Sequence, residues 1–187
     1  MKGRKWAVYA VAALLWLVAG GCDGVSGPER KGEFVLSSQF FGTDSYYQFG
    51  YSYEESEFYK YPYAGESLPD IINEGFRVIE GGEVVSIPGF NTPGQVNGFA
   101  LAGEFSSQED AREFYIGYKQ VEEGALFVTV SDTVKLHQVW LQHTSAGNYV
   151  KMLVKAISSL ENESGNNYNE VTLEYTYQPD GSTSFPD

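Results

Sequence analysis

One cysteine, Cys22, occurs in the 187 residues. A lone thiol cannot close a disulfide within the chain, and it offers neither a cysteine-rich metal site nor a redox pair. The fold must therefore be held together by buried apolar side chains. Residues 22–187 number 166, which suits one domain and is enough to enclose a proper core.

The surroundings of Cys22 set the expected location. Lys2, Arg4 and Lys5 precede an uncharged apolar run from Trp6 to about Gly21, which ends in the small residues Ala19, Gly20 and Gly21. A basic start, an apolar middle and small residues before a cut are the three parts of a secretory signal peptide. The run of about 16 residues falls short of the roughly 20 that span a bilayer. With a cysteine directly after the small residues, the segment resembles the lipobox of bacterial lipoproteins. That resemblance implies cleavage before Cys22, acylation of its sulfur and attachment to a membrane of the bacterial cell envelope. The chain would then sit on the extracytoplasmic side of the inner or outer membrane. On this reading residues 1–21 are the signal peptide. Residues 22–33, rich in Gly, Pro and charge, form the lipidated cysteine and its tether.

Processing sharpens the charge. Nine basic side chains remain against twenty-five acidic ones, a net charge of −16. Such a surface opposes nucleic acid, whose binding depends on neutralising phosphates, and broad contact with anionic headgroups. Twelve Phe, thirteen Tyr and Trp140 stay in the mature chain, and aromatics favour strands.

From Phe34 onward the pattern is one of short apolar or alternating runs bounded by Gly, Pro, Asn and Asp. Strands are expected at 34–41, 46–53, 58–63, 71–79, 84–87, 96–102, 126–130, 134–143, 149–157 and 170–178. Many short strands at this spacing indicate an all-β fold, an antiparallel β-sandwich. It would occupy residues 34–178, with a frayed tail over 179–187. The run Val171–Tyr177 alternates strictly, as expected for a strand with one face inward and one wet. Lys151 and Lys155, with Lys135, are expected on such wet faces. One helix is expected, at about residues 107–121. Ser107 opens a capping box with Asp110, and Ala111, Phe114, Tyr115, Tyr118 and Val121 share a face.

Two groups of residues invite a ligand. His137 and His143 lie six apart in a predicted strand, on one face but roughly 20 Å from each other. They could not share one ion, though each could pair with a residue from another strand, such as Met152. The stretch Gln138-Val139-Trp140, then Gly147-Asn148-Tyr149-Val150-Lys151, then Val171-Thr172-Leu173-Glu174-Tyr175 resembles the end of HmuY-type lipoproteins. That family comprises β-rich haem-binding proteins of the outer membrane. The resemblance implies haem or porphyrin as a ligand; the family's two iron ligands, on separate strands, do not align onto His137 or His143, so His137, His143 and Met152 stand as candidate iron ligands on their own chemistry alone.

The second group is tyrosine-rich. Tyr46, Tyr47, Tyr51, Tyr53, Tyr59, Tyr61 and Tyr63 crowd into eighteen residues. Within the strand expected at 46–53, Tyr47, Phe49, Tyr51 and Tyr53 would share a face, opposite Tyr46, Gln48, Gly50 and Ser52. An aromatic face ordinarily packs in a core, where each hydroxyl wants a partner. Seven phenols exceed that need, so Tyr46, Tyr51, Tyr53, Tyr59, Tyr61 and Tyr63 form a candidate contact surface for a glycan, a porphyrin or an envelope protein. No nucleophile elbow, P-loop or dinucleotide fingerprint appears. Residues 161–170 miss the calcium-loop register. A non-enzymatic binding or envelope-assembly role, without a cofactor, is therefore expected; haem capture is its rival, and a secreted hydrolase the remaining alternative.

Overall fold

The computed structural model describes residues 30–62, 68–94 and 98–186. Its centre is a five-stranded antiparallel sheet in the order β1-β11-β10-β9-β8. These strands are β1 (Lys31–Ser37), β8 (Gly98–Glu104), β9 (Gln138–His143), β10 (Tyr149–Glu161) and β11 (Asn167–Gln178). The long β10–β11 hairpin runs from the pair Tyr149–Gln178 to Glu161–Asn167. Its turn is organised by Asn162, whose carboxamide oxygen accepts from the backbone N–H groups of Ser164 and Asn166, an Asx turn.

Three two-stranded sheets cover one face. They are β2 (Gln48–Ser52) with β3 (Glu57–Tyr61), β4 (Ile72–Asn73) with β7 (Phe90–Asn91), and β5 (Phe76–Glu80) with β6 (Glu83–Ile87). Between them and the central sheet lies the main core, built around Phe34, Tyr51, Tyr53, Trp140, Met152 and Tyr175. The fold is thus all-β, antiparallel and sandwich-like.

The opposite face of the sheet is also covered, contrary to the expected wet side. Helix α1 (Gln108–Gly117) lies there, with Ala111 and Tyr115 packed on Val139 and Leu153. Ser107 caps it as expected, accepting from the Asp110 N–H at 3.1 Å. The helix is shorter than the sequence suggests. Gly117 is a poor helix former, and Tyr118 is already extended. Val121 still reaches the same side of the sheet, because its N–H donates to the Thr183 carbonyl and its side chain meets Leu141 and Phe185. The C-terminal residues are therefore docked through Phe185, which is buried, rather than frayed.

Lys151 changes role accordingly. It is 3% exposed, and its ammonium donates to the carbonyls of Tyr115 and Tyr118 at 2.8 Å each. A cation here satisfies carbonyls that the end of a helix leaves unpaired, and α1 has no basic residue in its own last turn. Thr176, also expected to be wet, is buried and hydrogen-bonded to the Tyr115 hydroxyl.

Other strand boundaries move for identifiable reasons. The run 71–79 breaks into β4 and β5 at Gly75, where φ is +61°. Residues 126–130 form only isolated bridges, Phe99–Val128 and Asn91–Val130. The strand expected at 134–143 starts at Gln138, because His137 has φ +66° and the Gln138 N–H turns back to the Lys135 carbonyl. The two histidines therefore do not share a strand face. β1 begins at Lys31, inside the expected tether.

Candidate functional site

The tyrosine segment divides on folding. Tyr51 and Tyr53 belong to the core and present almost no surface. Their hydroxyls find the partners that burial requires: Tyr51 shares a hydrogen bond with the Tyr175 hydroxyl, and Tyr53 donates to the Met152 sulfur. Tyr177 likewise accepts from the Asn148 carboxamide. The face opposite them is not free either. Gln48 and Ser52 are buried, and a Cβ on Gly50 would come within 2.6 Å of Pro69 and Ile72. Glycine at 50 is what lets the chain around β4 pack directly on β2. These two tyrosines are therefore removed from the candidate contact surface.

Tyr59 and Tyr61 lie partly exposed on β3, whereas Tyr46 is 66% exposed and stands elsewhere, on the rim of a cleft. Cys22 and Tyr63 lie outside the described residues. Met152 is fully buried, so its sulfur has no surface through which a haem iron could reach it. His143 is half-buried, stacked flat on Tyr149 with ring centres 4.4 Å apart. His137 sits in the turn before β9.

The cleft beside Tyr46 has a volume of about 400 Å³, within the usual range for small-ligand sites. It is formed where the end of β1, the β5–β6 hairpin and the β10–β11 turn converge. Its floor, formed by Ser38, Gly75 and Ser86, rests on a buried polar network. Asn73 donates from its carboxamide to the Asn169 side-chain oxygen at 2.6 Å and to the Leu36 carbonyl at 3.2 Å. Asn169 in turn donates to the Ser86 hydroxyl at 2.8 Å, and its backbone N–H donates to the Ser38 hydroxyl at 2.9 Å. Both asparagines are fully buried, so the network ties β1, β4, β6 and β11 together without leaving those amides unpaired. Gly75 makes the floor possible. A Cβ there would lie 2.5 Å from the Ser38 Cβ and 3.0 Å from the Ser86 hydroxyl, at a positive φ that side chains avoid.

The walls differ in chemistry from the floor. Phe40, 47% exposed, joins Tyr46 and Tyr168 as aromatic surface. Gln39, Asn162, Asn166 and Asn167 supply amides, and Arg77 is the single charged side chain among the described residues that line the cleft. Asn167 also donates to the Val84 carbonyl at 2.6 Å, fixing the β10–β11 turn against β6. Among the described residues the lining contains no carboxylate, histidine or cysteine. Aromatic faces with amides that both donate and accept can hold a polyhydroxylated ring.

The sequence reading found Tyr46 and missed Phe40, Arg77, Tyr168 and the amide-bearing turn. The available signals were the three asparagines of 162–167 and the asparagines within predicted strand regions, where that residue is depleted.

A groove on the helix side has a different character. Lys31, Arg112, Lys119 and Lys151 line it with Glu33 and Glu174, but its charges are spent internally. Arg112 meets Glu174 at 2.6 Å, and Lys155 bridges Glu33 and Glu174. Among the described residues no group of three or more His, Cys, Asp or Glu could hold a metal ion. No protein-family model matches the chain, and no curated protein matches it.

Proposed function

We propose that this chain is a lipid-anchored binding protein of the bacterial envelope that holds a glycan in the cleft between Phe40, Tyr46 and Tyr168, without performing chemistry on it. The observation that carries the reading is the described lining itself: exposed aromatic surface and four amides, with no carboxylate, histidine or cysteine among those residues. Most glycosidases need a pair of carboxylates across the scissile bond, and the described lining of this cleft offers none. Binding by stacking and amide hydrogen bonds is the chemistry that remains.

The anchor at Cys22 is part of the proposal. It rests on the basic start, the apolar run and the small residues before the cysteine. In a bacterial host the full chain should incorporate radioactive palmitate, and Cys22→Ser should abolish labelling. Continued labelling of the variant would remove the anchor and leave the cleft untouched.

The glycan reading is tested with the full-length protein, purified in detergent, on an array of neutral and acidic bacterial and plant oligosaccharides. Saturable binding that disappears in Tyr46→Ala and Phe40→Ala supports it. Binding unaffected by both substitutions would place recognition elsewhere. A saturable Soret band on haem titration, lost in His143→Ala or His137→Ala, would replace the glycan by a porphyrin.

A further inference from the structure

We infer that the ligand of this cleft is an acidic saccharide, one whose sugar ring carries a carboxylate or a sulfate read by Arg77; the inference rests on the glycan reading above and adds the charge. Arg77 lies on β5 opposite Ser86, a residue of the cleft floor. It is exposed and makes no ion pair with any described residue. Five other cations of this chain are engaged. Arg112, Lys135 and Lys155 are matched to glutamates, Lys60 sits over the Tyr47 ring, and Lys151 holds the end of α1.

An arginine with no counter-ion among the described residues stands out in a sequence with twenty-five acidic residues, above all in a cleft whose described lining carries no carboxylate. The guanidinium fork matches the two oxygens of a carboxylate or sulfate with parallel hydrogen bonds. Phe40, Tyr46 and Tyr168 would take the C–H faces of the ring, since aromatic faces carry partial negative charge. The amides of Asn162, Asn166 and Asn167 would take its hydroxyls. The chain's net negative charge does not exclude an anion here. At physiological ionic strength, charges more than about 8 Å away are largely screened, whereas Arg77 would act at contact.

The test uses full-length protein in detergent and matched pairs of probes. Oligogalacturonate and hyaluronan oligosaccharides are compared with their carboxyl-reduced forms, and carrageenan oligosaccharides with their desulfated forms. At least one acidic member should bind about ten- to hundredfold more tightly than its neutral partner, the range expected of a hydrogen-bonded charge. Arg77→Gln should erase that preference, so that the acidic and neutral members of the pair bind alike. The pair that responds tells carboxylate from sulfate. Equal affinities within every pair would overturn the acidic ligand, and a preference that survives in Arg77→Gln would overturn its recognition by Arg77; either result leaves the glycan reading in place. No binding to any oligosaccharide would overturn both. Arg77 is on the surface, so an unchanged circular dichroism spectrum of the variant confirms that the readout reports recognition.

Discussion

At the scale of single residues, the cleft separates side chains that build it from side chains that face its contents. Asn73 and Asn169 belong to the first kind. Replacing Asn169 by Ala strips partners from Asn73 and Ser86 at once, and buried polar groups left unpaired are costly. We expect a loss of about 2–4 kcal/mol in urea unfolding, the sum of at least two broken buried hydrogen bonds and the groups they orphan. Tyr46→Ala should behave oppositely. Its ring is mostly in solvent, so the unfolding midpoint should stay within about 0.5 kcal/mol of the parent, as surface substitutions usually do, while oligosaccharide affinity falls. A Tyr46→Ala protein that retains full affinity would show that the ring only decorates the rim. The division was half legible in the sequence. Tyrosine crowding pointed to Tyr46 but equally to Tyr51 and Tyr53, and alternation cannot say which of two faces is buried when Gly50 lets both be. The pairing of Asn73 with Asn169 beneath the cleft was not legible, because the two are separated by 96 positions along the chain.

At the scale of elements, what the sequence conveyed well was whatever depends on neighbours in the chain. The alternation of β11 and the Ser107 cap are both local patterns, and each is found in the structure. What it conveyed poorly depends on distant packing. The residues Val134–His137 have strand-like composition but lie in a turn, and the expected wet face of β10 lies beneath α1. Lys151 is the clearest instance. An isolated lysine on an alternating strand reads as a solvated side chain, yet here it supplies the positive charge that the last turn of α1 lacks. Lys151→Met keeps the length and apolar stem but removes the donor. It should leave the carbonyls of Tyr115 and Tyr118 short of a partner and destabilise the fold by about 1–3 kcal/mol. Loss of amide protection in hydrogen exchange should be concentrated over residues 108–118. Protection lost evenly across the sheet instead would mean that the lysine serves β10 and not the helix.

For the molecule as a whole, the acidic excess and one misplaced carboxyl act on stability in the same direction. The acids repel one another in the compact state, and mild acidification relieves that repulsion. Asp70 adds a specific contribution. Burial raises its carboxyl from 3.8 to about 6, even though the Tyr53 N–H donates to it at 2.9 Å and Ser52 also hydrogen-bonds it; the nearby Glu54 raises it further. The unfolded chain binds this proton only below about 4. Between that pH and about 6 the folded protein therefore holds more protons, so stability grows as pH falls through the window and levels off below it. Glu104 opposes the trend, because hydrogen bonds from Gln138 and Lys135 hold its carboxyl low; its contribution is lost only as pH falls through that lowered value. The expected profile has greater stability at pH 5 than at pH 7.5. Asp70→Asn keeps an acceptor for the Tyr53 N–H and removes the charge. At pH 7.5 it should be more stable than the parent by of order 1–3 kcal/mol, the free energy of a shift of about two pKa units discounted for partial exposure. At pH 4 the two proteins should converge. Parallel urea titrations at both pH values decide the matter. A constant difference between them would show that Asp70 is not the group that titrates, and would leave the pH dependence to the diffuse charge of the surface.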